Sequence, residues 1–356
     1  MPKAHGPLFG AIPMLTRSQP LAIYMEGELS GTFAKMCRGI LRYSPNPIAA
    51  IIDSHFAGKD VKDVLDSPRS APIVATVDEA KALGAEAFVL GIATPGGRIP
   101  EAWYPAIDEA VALGLDIVNG LHDRLAPRYS ASKREGQWIW DIRIEPEGLG
   151  SGQGEAAKLG NKRLLMIGTD MSIGKMTAGL EIYRAAREKG IKAEFIATGQ
   201  IGITVTGRGI PLDAVRVDFA SSAVEREVLA VAQADLVVVE GQGALTHPGS
   251  TANLPLLRGS CPTHFVLCHR AHQTALLRFP QIKIPPLNAY IKLYEDLAEA
   301  CGTFKRPQTV AVALNTQGLP AEDAEKAKRQ ISEETGLPVA DPVRDGVDLF
   351  LEALRL

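Results

Sequence analysis

The chain has 356 residues, of which 46% are hydrophobic, and its formal net charge at pH 7 is −3. This length favours two domains, each large enough to bury a core of its own. The near balance of charge argues against a protein that binds nucleic acid or a lipid surface. No stretch approaches the roughly 18 consecutive apolar residues that a membrane-spanning helix requires. The expected partner is therefore a small molecule, with no nucleic acid and no membrane.

The sequence also favours a cytoplasmic location. Its first residues, Met1 to Gly6, lack the charged and apolar regions of a secretory signal peptide. The cysteines are scattered and form no C-x-x-C pair: Cys37, Cys261, Cys268 and Cys301. We therefore expect buried free thiols in a reducing compartment, without a disulfide or zinc framework.

Short apolar runs alternate with amphipathic segments through the first half of the chain. The strand-like runs are 21–26, 48–53, 87–92 and 116–118, and the helix-like segments are 32–42, 77–83 and 100–113. In the last segment Trp103, Ile107, Ala110 and Val111 share one helical face. Because strands that alternate with helices pair in parallel through right-handed crossovers, the pattern predicts an α/β fold. Its first part is a Rossmann-like parallel sheet domain over residues 1–150.

Two loops of this first domain are candidate ligand sites. Gly27 and Gly31 follow the first strand but lack the G-x-G-x-x-G spacing of a dinucleotide-binding loop, whereas Asp53 is suitably placed to bind a ribose. A nicotinamide dinucleotide site is therefore the less favoured interpretation. Residues 94–97, Thr-Pro-Gly-Gly, indicate either a second anion site or a tight turn before a helix.

The clearest break in the chain lies at residues 146–154, which contain four glycines and one proline. Such a segment cannot sustain a helix or a central strand, so we place the domain boundary there, with the second domain over 151–356. Strand-like runs follow at 163–167, 193–197, 214–217, 236–239, 263–267 and 310–314, and helix-like segments at 175–189, 223–232, 290–300 and 321–335.

The strongest functional signal lies where the first strand of this domain runs into a helix. The residues in order are Gly168, Thr169, Asp170, Met171, Ser172, Ile173, Gly174, Lys175, Met176 and Thr177. In such a loop successive backbone amides point at an anion, the helix N-terminus adds partial positive charge, and the lysine reaches the outer phosphates. The alternative is an ordinary turn with a surface lysine. We favour a P-loop NTPase-type, three-layer α/β domain that binds a nucleotide or a nucleotide-like ligand.

This loop departs from the usual P-loop in two ways. Five residues separate Gly168 from Gly174, where the usual loop has about four. Met176 occupies the position of the Ser or Thr that ligates magnesium, and Thr177 follows one place later. Because a thioether is a poor ligand for a hard cation, phosphate binding is expected but phosphate cleavage does not follow.

Two later strands end in polar residues. Glu240 follows an apolar strand, the pattern by which P-loop proteins place an acid beside the phosphates; a helix cap or an ion pair is the alternative. Asn315 ends a late strand, and its amide can pair with adenine. An asparagine that begins a turn is equally consistent with that position.

In order and context these segments resemble dethiobiotin synthetase and its relatives. Those enzymes have a Gly-Thr-Asp-x-x-x-Gly-Lys loop with the same spacing, a strand ending in Glu-Gly-x-Gly, and a late strand ending in Asn. The resemblance implies that Asp170, Lys175, Glu240 and Asn315 contact the phosphates, a metal and the base. Asp170 and Glu240 would hold magnesium, if magnesium is used. The relatives have Thr directly after the lysine, where this chain has Met176.

A second resemblance covers nearly the whole chain and rests on residues 90–97, 118–122, 169–177, 197–202 and 240–243. These segments are similar to a bacterial family long catalogued as of unknown function, one branch of which is the D-glutamate N-acetyltransferases, which use acetyl-CoA. The resemblance implies an acetyltransferase that acts on an acidic amino acid. The adenine, pyrophosphate and 3′-phosphate of coenzyme A suit a loop that binds phosphates without cleaving them.

Acyl transfer to an amine needs a base for the ammonium proton. The catalytic candidates are His247, preferred because it is close in sequence to Glu240, and Glu240 itself. Other histidines follow strands and are candidates as well: His122, His269 and His272. For each of these and for His247, a structural or solvated role is the more common alternative. Arg208 and Gln200 are candidate substrate contacts, since a forked guanidinium suits a carboxylate; a surface arginine is the alternative.

Three functions remain open at this point. The first is acetyl transfer from acetyl-CoA to an acidic amino acid such as D-glutamate. The second is an ATP- and magnesium-dependent ligase or kinase of the dethiobiotin synthetase type that acts on a small carboxylate. The third is a non-catalytic nucleotide sensor. Because related P-loop enzymes often pair subunits, we expect a homo-oligomer.

Overall fold

The computed structural model describes residues 15–31 and 33–356. The chain forms two compact units, the N-terminal unit (Met1–Gly148 and Gln200–Ala214) and the C-terminal unit (Leu149–Gly199 and Val215–Leu356). The segment from Met1 to Gly6 and the predicted helix start at Thr32 lie outside the described residues. None of the helices in the described ranges has the length and apolar character needed to cross a bilayer.

The N-terminal unit is built on a six-stranded parallel sheet with the order β3-β2-β1-β4-β5-β6, which is the order of a Rossmann fold. Its strands are β1 (Leu21–Tyr24), β2 (Ile48–Ile52), β3 (Ile73–Val74), β4 (Ala87–Leu90), β5 (Asp116–Asn119) and β6 (Ile139–Asp141). Its helices before the boundary are α1 (Lys35–Tyr43), α2 (Val77–Ala82), α3 (Tyr104–Ala112) and α4 (Leu125–Arg128). Strands β1 and β4 are buried along their whole length, as apolar runs in the centre of a parallel sheet require.

The structure contains the four strands and three helices that the sequence of this unit predicts. The helix predicted over 100–113 begins with a short 3-10 turn, Glu101–Trp103, before α3. The predicted apolar face is buried, including Ile107 and Val111. Strands β3 and β6 have only two and three residues and were not predicted, because runs this short show no periodicity.

The C-terminal unit has a second six-stranded parallel sheet, with the order β14-β13-β10-β7-β9-β8, and a separate antiparallel pair, β11-β12. Its strands are β7 (Lys162–Gly168), β8 (Ala193–Ile196), β9 (Leu236–Val239), β10 (His264–Arg270), β11 (Ala275–Leu276), β12 (Phe279–Lys283), β13 (Gln308–Asn315) and β14 (Val339–Ala340). The remaining helices are α5 (Lys175–Glu188), α6 (Gln200–Thr206), α7 (Val217–Ala230), α8 (Asn253–Ser260), α9 (Leu287–Glu299), α10 (Ala321–Thr335) and α11 (Asp348–Ala353). Because β7 pairs with both β9 and β10, its carboxyl end lies between theirs.

Helix α6 belongs to the N-terminal unit, although it follows β8 in the chain. It packs against α1. Gly120 makes this approach possible, since a Cβ there would lie 3.0 Å from Sδ of Met36 and 3.2 Å from Cγ of Gln200. The two residues predicted to contact substrate, Gln200 and Arg208, therefore both lie in a segment that folds with the Rossmann-like sheet.

The strand predicted over 214–217 is wrong. A 3-10 turn, Leu212–Ala214, follows Pro211, and helix α7 begins at Val217, earlier than the predicted 223–232 helix. Val217 is 79% exposed, so the apolar residues here do not form a buried strand. A run this short cannot distinguish a strand from the first turn of a helix. The β11-β12 pair and α8 also had no counterpart in the prediction.

The four cysteines are free thiols. Cys37, Cys261 and Cys268 are buried, as expected, whereas Cys301 is exposed.

Candidate functional site

The loop between β7 and α5 has the backbone conformation of an anion-binding loop. Ser172 and Gly174 have left-handed φ angles of 58° and 112°. Gly174 is the N-cap of α5, and no side chain caps this helix end. The first amides of a helix have no partner within it, so those of Lys175, Met176 and Thr177 remain for a ligand. Together with the helix dipole, they form a site for an anion.

Lys175 lies at the start of α5 with its side chain buried. Its Nζ donates a hydrogen bond to the backbone oxygen of Asp170 at 2.8 Å. Burial lowers the pKa of Lys175 to about 8, against the attraction of nearby Cys268, Asp170 and Glu240. Gly168 leaves room for the lysine, because a Cβ there would lie 3.0 Å from Cδ of Lys175. A buried ammonium with so few partners is suited to bind an incoming anion.

The carboxylate of Asp170 accepts three hydrogen bonds from within the protein. Its Oδ1 accepts a hydrogen bond from the amide of Met171 at 2.6 Å. Its Oδ2 accepts from Nε2 of Gln273 at 2.6 Å and from the amide of Leu277 at 2.8 Å. Asp170 therefore connects the loop between β7 and α5 to the β11-β12 turn. We call residues 168–175 the phosphate loop.

Glu240 directly follows β9 and is buried. Its Oε2 accepts hydrogen bonds from the amides of Thr198 at 2.9 Å and Gly199 at 3.2 Å. Burial raises the pKa of Glu240 to about 7, although these two amides and Lys175 favour its charged form. A carboxyl group in this range can accept or release a proton near neutral pH.

Tyr290 links the loop between β7 and α5 to the segment that carries His247. Nδ1 of His247 accepts a hydrogen bond from the amide of Gly249 at 3.1 Å. The ring of His247 packs edge to face against that of Phe279, with 5.3 Å between the ring centroids. The hydroxyl of Tyr290 donates to the backbone oxygen of Gly168 and accepts from the amide of Leu245, both at 3.1 Å. Tyr290 thus joins the phosphate loop to the loop that carries His247.

The ends of β10 and β13 meet the same loop. Nδ1 of His269 lies 2.9 Å from Oγ1 of Thr169, and burial lowers the pKa of His269 to about 4, so its ring is neutral. Nδ2 of Asn315 donates to the backbone oxygen of Ile173 at 3.2 Å, while its Oδ1 accepts from the amide of Gln317 at 3.0 Å. This places Asn315 at the phosphate loop and also at the start of a turn.

A cavity of about 270 Å³ is lined by two residues whose side chains contact this loop. Its lining includes His269, which contacts Thr169, and Gln273, which contacts Asp170. The predicted candidate His272 and Thr274, which flank Gln273, also line the cavity, together with residues 284–287 at the start of α9 and residues of α10.

In the N-terminal unit, Asp53 has a structural role. Asp53 is fully buried, and its carboxylate accepts hydrogen bonds from the amides of His55 at 3.1 Å and Leu29 at 3.2 Å. It therefore holds the loops after β1 and β2 and has little capacity left for a ribose. Within residues 15–31 and 33–356, no group of three His, Cys, Asp or Glu residues could hold a metal ion.

Comparison with known proteins identifies both units. Residues 150–351 match a sequence family described as "Domain of unknown function (DUF1611_C) P-loop domain", and residues 54–145 match the corresponding N-terminal "Rossmann-like domain". The chain belongs to the DUF1611 family. The predicted P-loop and Rossmann-like folds and the predicted resemblance to a family of unknown function are thus confirmed.

The chain is similar to three individual proteins along most of its length. The crystal structure of a DUF1611 family protein from Anabaena variabilis ATCC 29413 is 44% identical, has a TM-score of 0.92, and the match covers 95% of this chain and 99% of that one. A "D-glutamate N-acetyltransferase" from Pseudoalteromonas sp. is 37% identical over 283 residues, which is 78% of this chain and 84% of the relative. One of the same name from Tritonibacter scottomollicae is 34% identical with the same coverage.

Gly241, next to Glu240, gives a structural test of the site. A Cβ at this position would overlap the backbone oxygen of Met166 in β7, which cannot move without breaking the sheet. We expect Gly241→Ala to lower the free energy of unfolding by at least about 3 kcal/mol, measured by urea denaturation. Gly160→Ala is the control, because nothing lies within 4 Å of that position; a change as large in the control would contradict the packing described.

The raised pKa of Glu240 predicts a pH-dependent stability. A carboxyl group whose pKa is higher in the folded state, about 7 against 4.5, stabilises the fold fully below pH about 4.5, and this contribution is lost as pH rises through about 7. Glu240→Gln replaces the carboxyl group by an amide, which does not ionise in this pH range. The stability of the wild type relative to this variant should therefore fall between pH 5 and pH 8, measured by chemical denaturation. A difference that does not change with pH would contradict the assignment.

Proposed function

We propose that this DUF1611 protein is an N-acetyltransferase that transfers the acetyl group of acetyl-CoA to the amine of an acidic amino acid such as D-glutamate. The observation that carries the proposal is the uncapped N-terminus of α5 beside the buried ammonium of Lys175, with Met176 at the position of the magnesium ligand. The names of the two relatives from Pseudoalteromonas and Tritonibacter support the same reaction.

The phosphate loop suits a ligand whose phosphates stay intact. The first amides of α5 and the ammonium of Lys175 would hold the negative charge of the coenzyme A phosphates. The adjoining cavity, lined by His269 and Gln273, has room for another part of the same molecule. Acetyl-CoA serves in this proposal as a substrate that supplies an activated acyl group.

Magnesium fits these residues poorly. The carboxylate of Asp170 already accepts hydrogen bonds from three donors. One carboxylate oxygen of Glu240 accepts hydrogen bonds from two backbone amides. Met176 offers only a thioether, which is a poor ligand for a hard cation. We therefore assign no step of the reaction to magnesium, and the ATP-dependent ligase becomes an outcome of the test below.

The substrate nitrogen loses two protons in this reaction. The first leaves the ammonium group for a base, and the free amine then attacks the thioester carbonyl carbon. A C–N bond forms, the C–S bond breaks, and the second proton of the nitrogen passes to the departing thiolate of coenzyme A. Glu240 and His247 are the two candidate proton acceptors. A pKa of about 7 suits Glu240 to this role, whereas His247 already uses Nδ1 to accept a hydrogen bond from Gly249.

The proposal is tested by measuring thiol release from acetyl-CoA with a panel of amino acids. We expect release with D-glutamate or a related acidic amino acid and none with acetyl-CoA alone. Magnesium-dependent ATP hydrolysis without affinity for coenzyme A would instead identify a ligase or kinase. Binding of coenzyme A or of ATP without any turnover would identify a sensor.

Lys175→Ala tests the ligand of the phosphate loop. Loss of a charge-assisted contact should raise the dissociation constant for coenzyme A by roughly tenfold to a hundredfold, measured by isothermal titration calorimetry. Lys189→Ala is the matched control, because Lys189 lies just after the other end of α5 and pairs with Asp348 at the surface. Equal affinities of the wild type and Lys175→Ala would exclude the loop as the binding site.

A further inference from the structure

The N-terminal unit carries a group of charged side chains that the phosphate site does not use. We call Arg143, His122 and Asp213 the charged cluster. Nη2 of Arg143 lies 3.0 Å from Oδ2 of Asp213, and Nε2 of His122 lies 4.0 Å from the same oxygen. All three residues belong to one compact unit, because Asp213 lies in the segment that folds with the Rossmann-like sheet.

The charged cluster lies directly against the loop that follows β4. Gly97 in this loop has a left-handed φ of 65°, and a Cβ there would overlap Nη1 of Arg143 and Cδ2 of His122. The amide of His122 donates to the backbone oxygen of Gly97 at 2.7 Å. Strand β4 pairs with β1 at the point where the strand order of the sheet reverses. Open α/β sheets bind ligands at the carboxyl ends of strands beside such a point.

Buried and partly buried hydrogen bonds hold the surrounding loops in place. Nδ2 of Asn119 donates to the backbone oxygen of Asp123 at 2.6 Å and to Oδ1 of Asp141 at 2.8 Å. The amide of Ile99 donates to Oδ2 of Asp123 at 2.7 Å. The loops after β4 and β5 are thus tied to each other, which fixes the backbone on which the cluster rests.

Arg143 is incompletely satisfied by the protein. Its side chain is only 10% exposed, and among residues 15–31 and 33–356 its buried Nε has no hydrogen-bond partner. Buried polar atoms in native proteins almost always have a partner, so an exception calls for a ligand or a water. Asp213, in contrast, is 48% exposed and can take a second partner. Burial, followed by the charge of Arg143, lowers the pKa of His122, which favours its neutral ring.

We propose that the charged cluster binds an α-amino acid, whose carboxylate accepts a hydrogen bond from Nε of Arg143 and whose ammonium group lies beside Asp213. A guanidinium next to a carboxylate matches the opposite charges of a zwitterion. An inorganic phosphate matches less well, because Asp213 repels it. The identification of this amino acid as the acetyl acceptor, D-glutamate or a relative, rests on the proposed function.

The test is a calorimetric titration of the full chain with D-glutamate, glutarate and inorganic phosphate, without and with saturating coenzyme A. Arg143→Gln should raise the dissociation constants of both D-glutamate and glutarate by at least about tenfold, since each ligand loses a charge-assisted hydrogen bond. Asp213→Asn should weaken the binding of D-glutamate but not that of glutarate, because glutarate has no ammonium group. Because Asp213 is half exposed, its variant keeps the proposal testable if Arg143→Gln does not fold.

Arg98→Gln is the matched control. Arg98 lies in the same loop as Gly97, but its side chain is 74% exposed and pairs with Asp123. Its variant should bind D-glutamate within about twofold of the wild type. An equal loss in Arg98→Gln and Arg143→Gln, tighter binding of phosphate than of D-glutamate, or no D-glutamate binding in either condition would overturn the proposal.

The same measurements separate this site from the proposed reaction. If D-glutamate binds as described but no thiol is released from acetyl-CoA, the charged cluster is supported as an amino-acid site and the acetyltransferase proposal is wrong. If thiol is released while Arg143→Gln and Asp213→Asn bind D-glutamate like the wild type, the reaction stands and the cluster is not its amino-acid site.

Discussion

The burial of one ammonium and one carboxyl group at the carboxyl end of a parallel sheet is the constraint on which the C-terminal unit depends. Lys175 and Glu240 follow neighbouring strands, β7 and β9, and both are nearly inaccessible to water. Burial of a charge is costly unless partners compensate for it. The amides of Thr198 and Gly199 compensate for Glu240, while Lys175 has one backbone oxygen at hydrogen-bond distance. A bound phosphate would supply the missing negative charge.

Hydrogen bonds from three other parts of the fold hold the loop that carries Lys175. Asp170 uses its carboxylate to hold the β11-β12 turn, Tyr290 bonds the backbone at Gly168, and Asn315 bonds the backbone at Ile173. Each contact fixes the loop from a different element of the fold. Such support keeps the helix N-terminus open for an anion, since the polar groups around it are satisfied by one another.

The parts of this site that could be predicted from the sequence are the local ones. The apolar strand, the small-residue loop and the Gly-Lys pair are contiguous, and their spacing alone predicts the turn. Glu240 was found because an acid that ends an apolar strand is also a local pattern. The parallel sheets of both units followed from the alternation of strands and helices, and only very short strands such as β3 were missed.

Contacts between residues distant in sequence could not be predicted in this way. Tyr290 resembles any buried aromatic residue of an amphipathic helix, and its bond to Gly168 spans 122 positions. Asp213 lies beside a run misread as a strand, and Arg143 follows β6, which the sequence did not reveal. Asp53 had the right position for a ribose ligand, but its burial beneath the amides of Leu29 and His55 depends on the folded loops.

Phosphorus NMR of coenzyme A in the presence of the protein tests the central claim most directly, because it observes the phosphate groups themselves. If the amides of α5 and Lys175 hold these groups, the pyrophosphate or 3′-phosphate resonances will shift or broaden with the wild type and return to their free positions with Lys175→Ala. Phosphorus signals that stay unchanged at protein concentrations where coenzyme A is bound would contradict it.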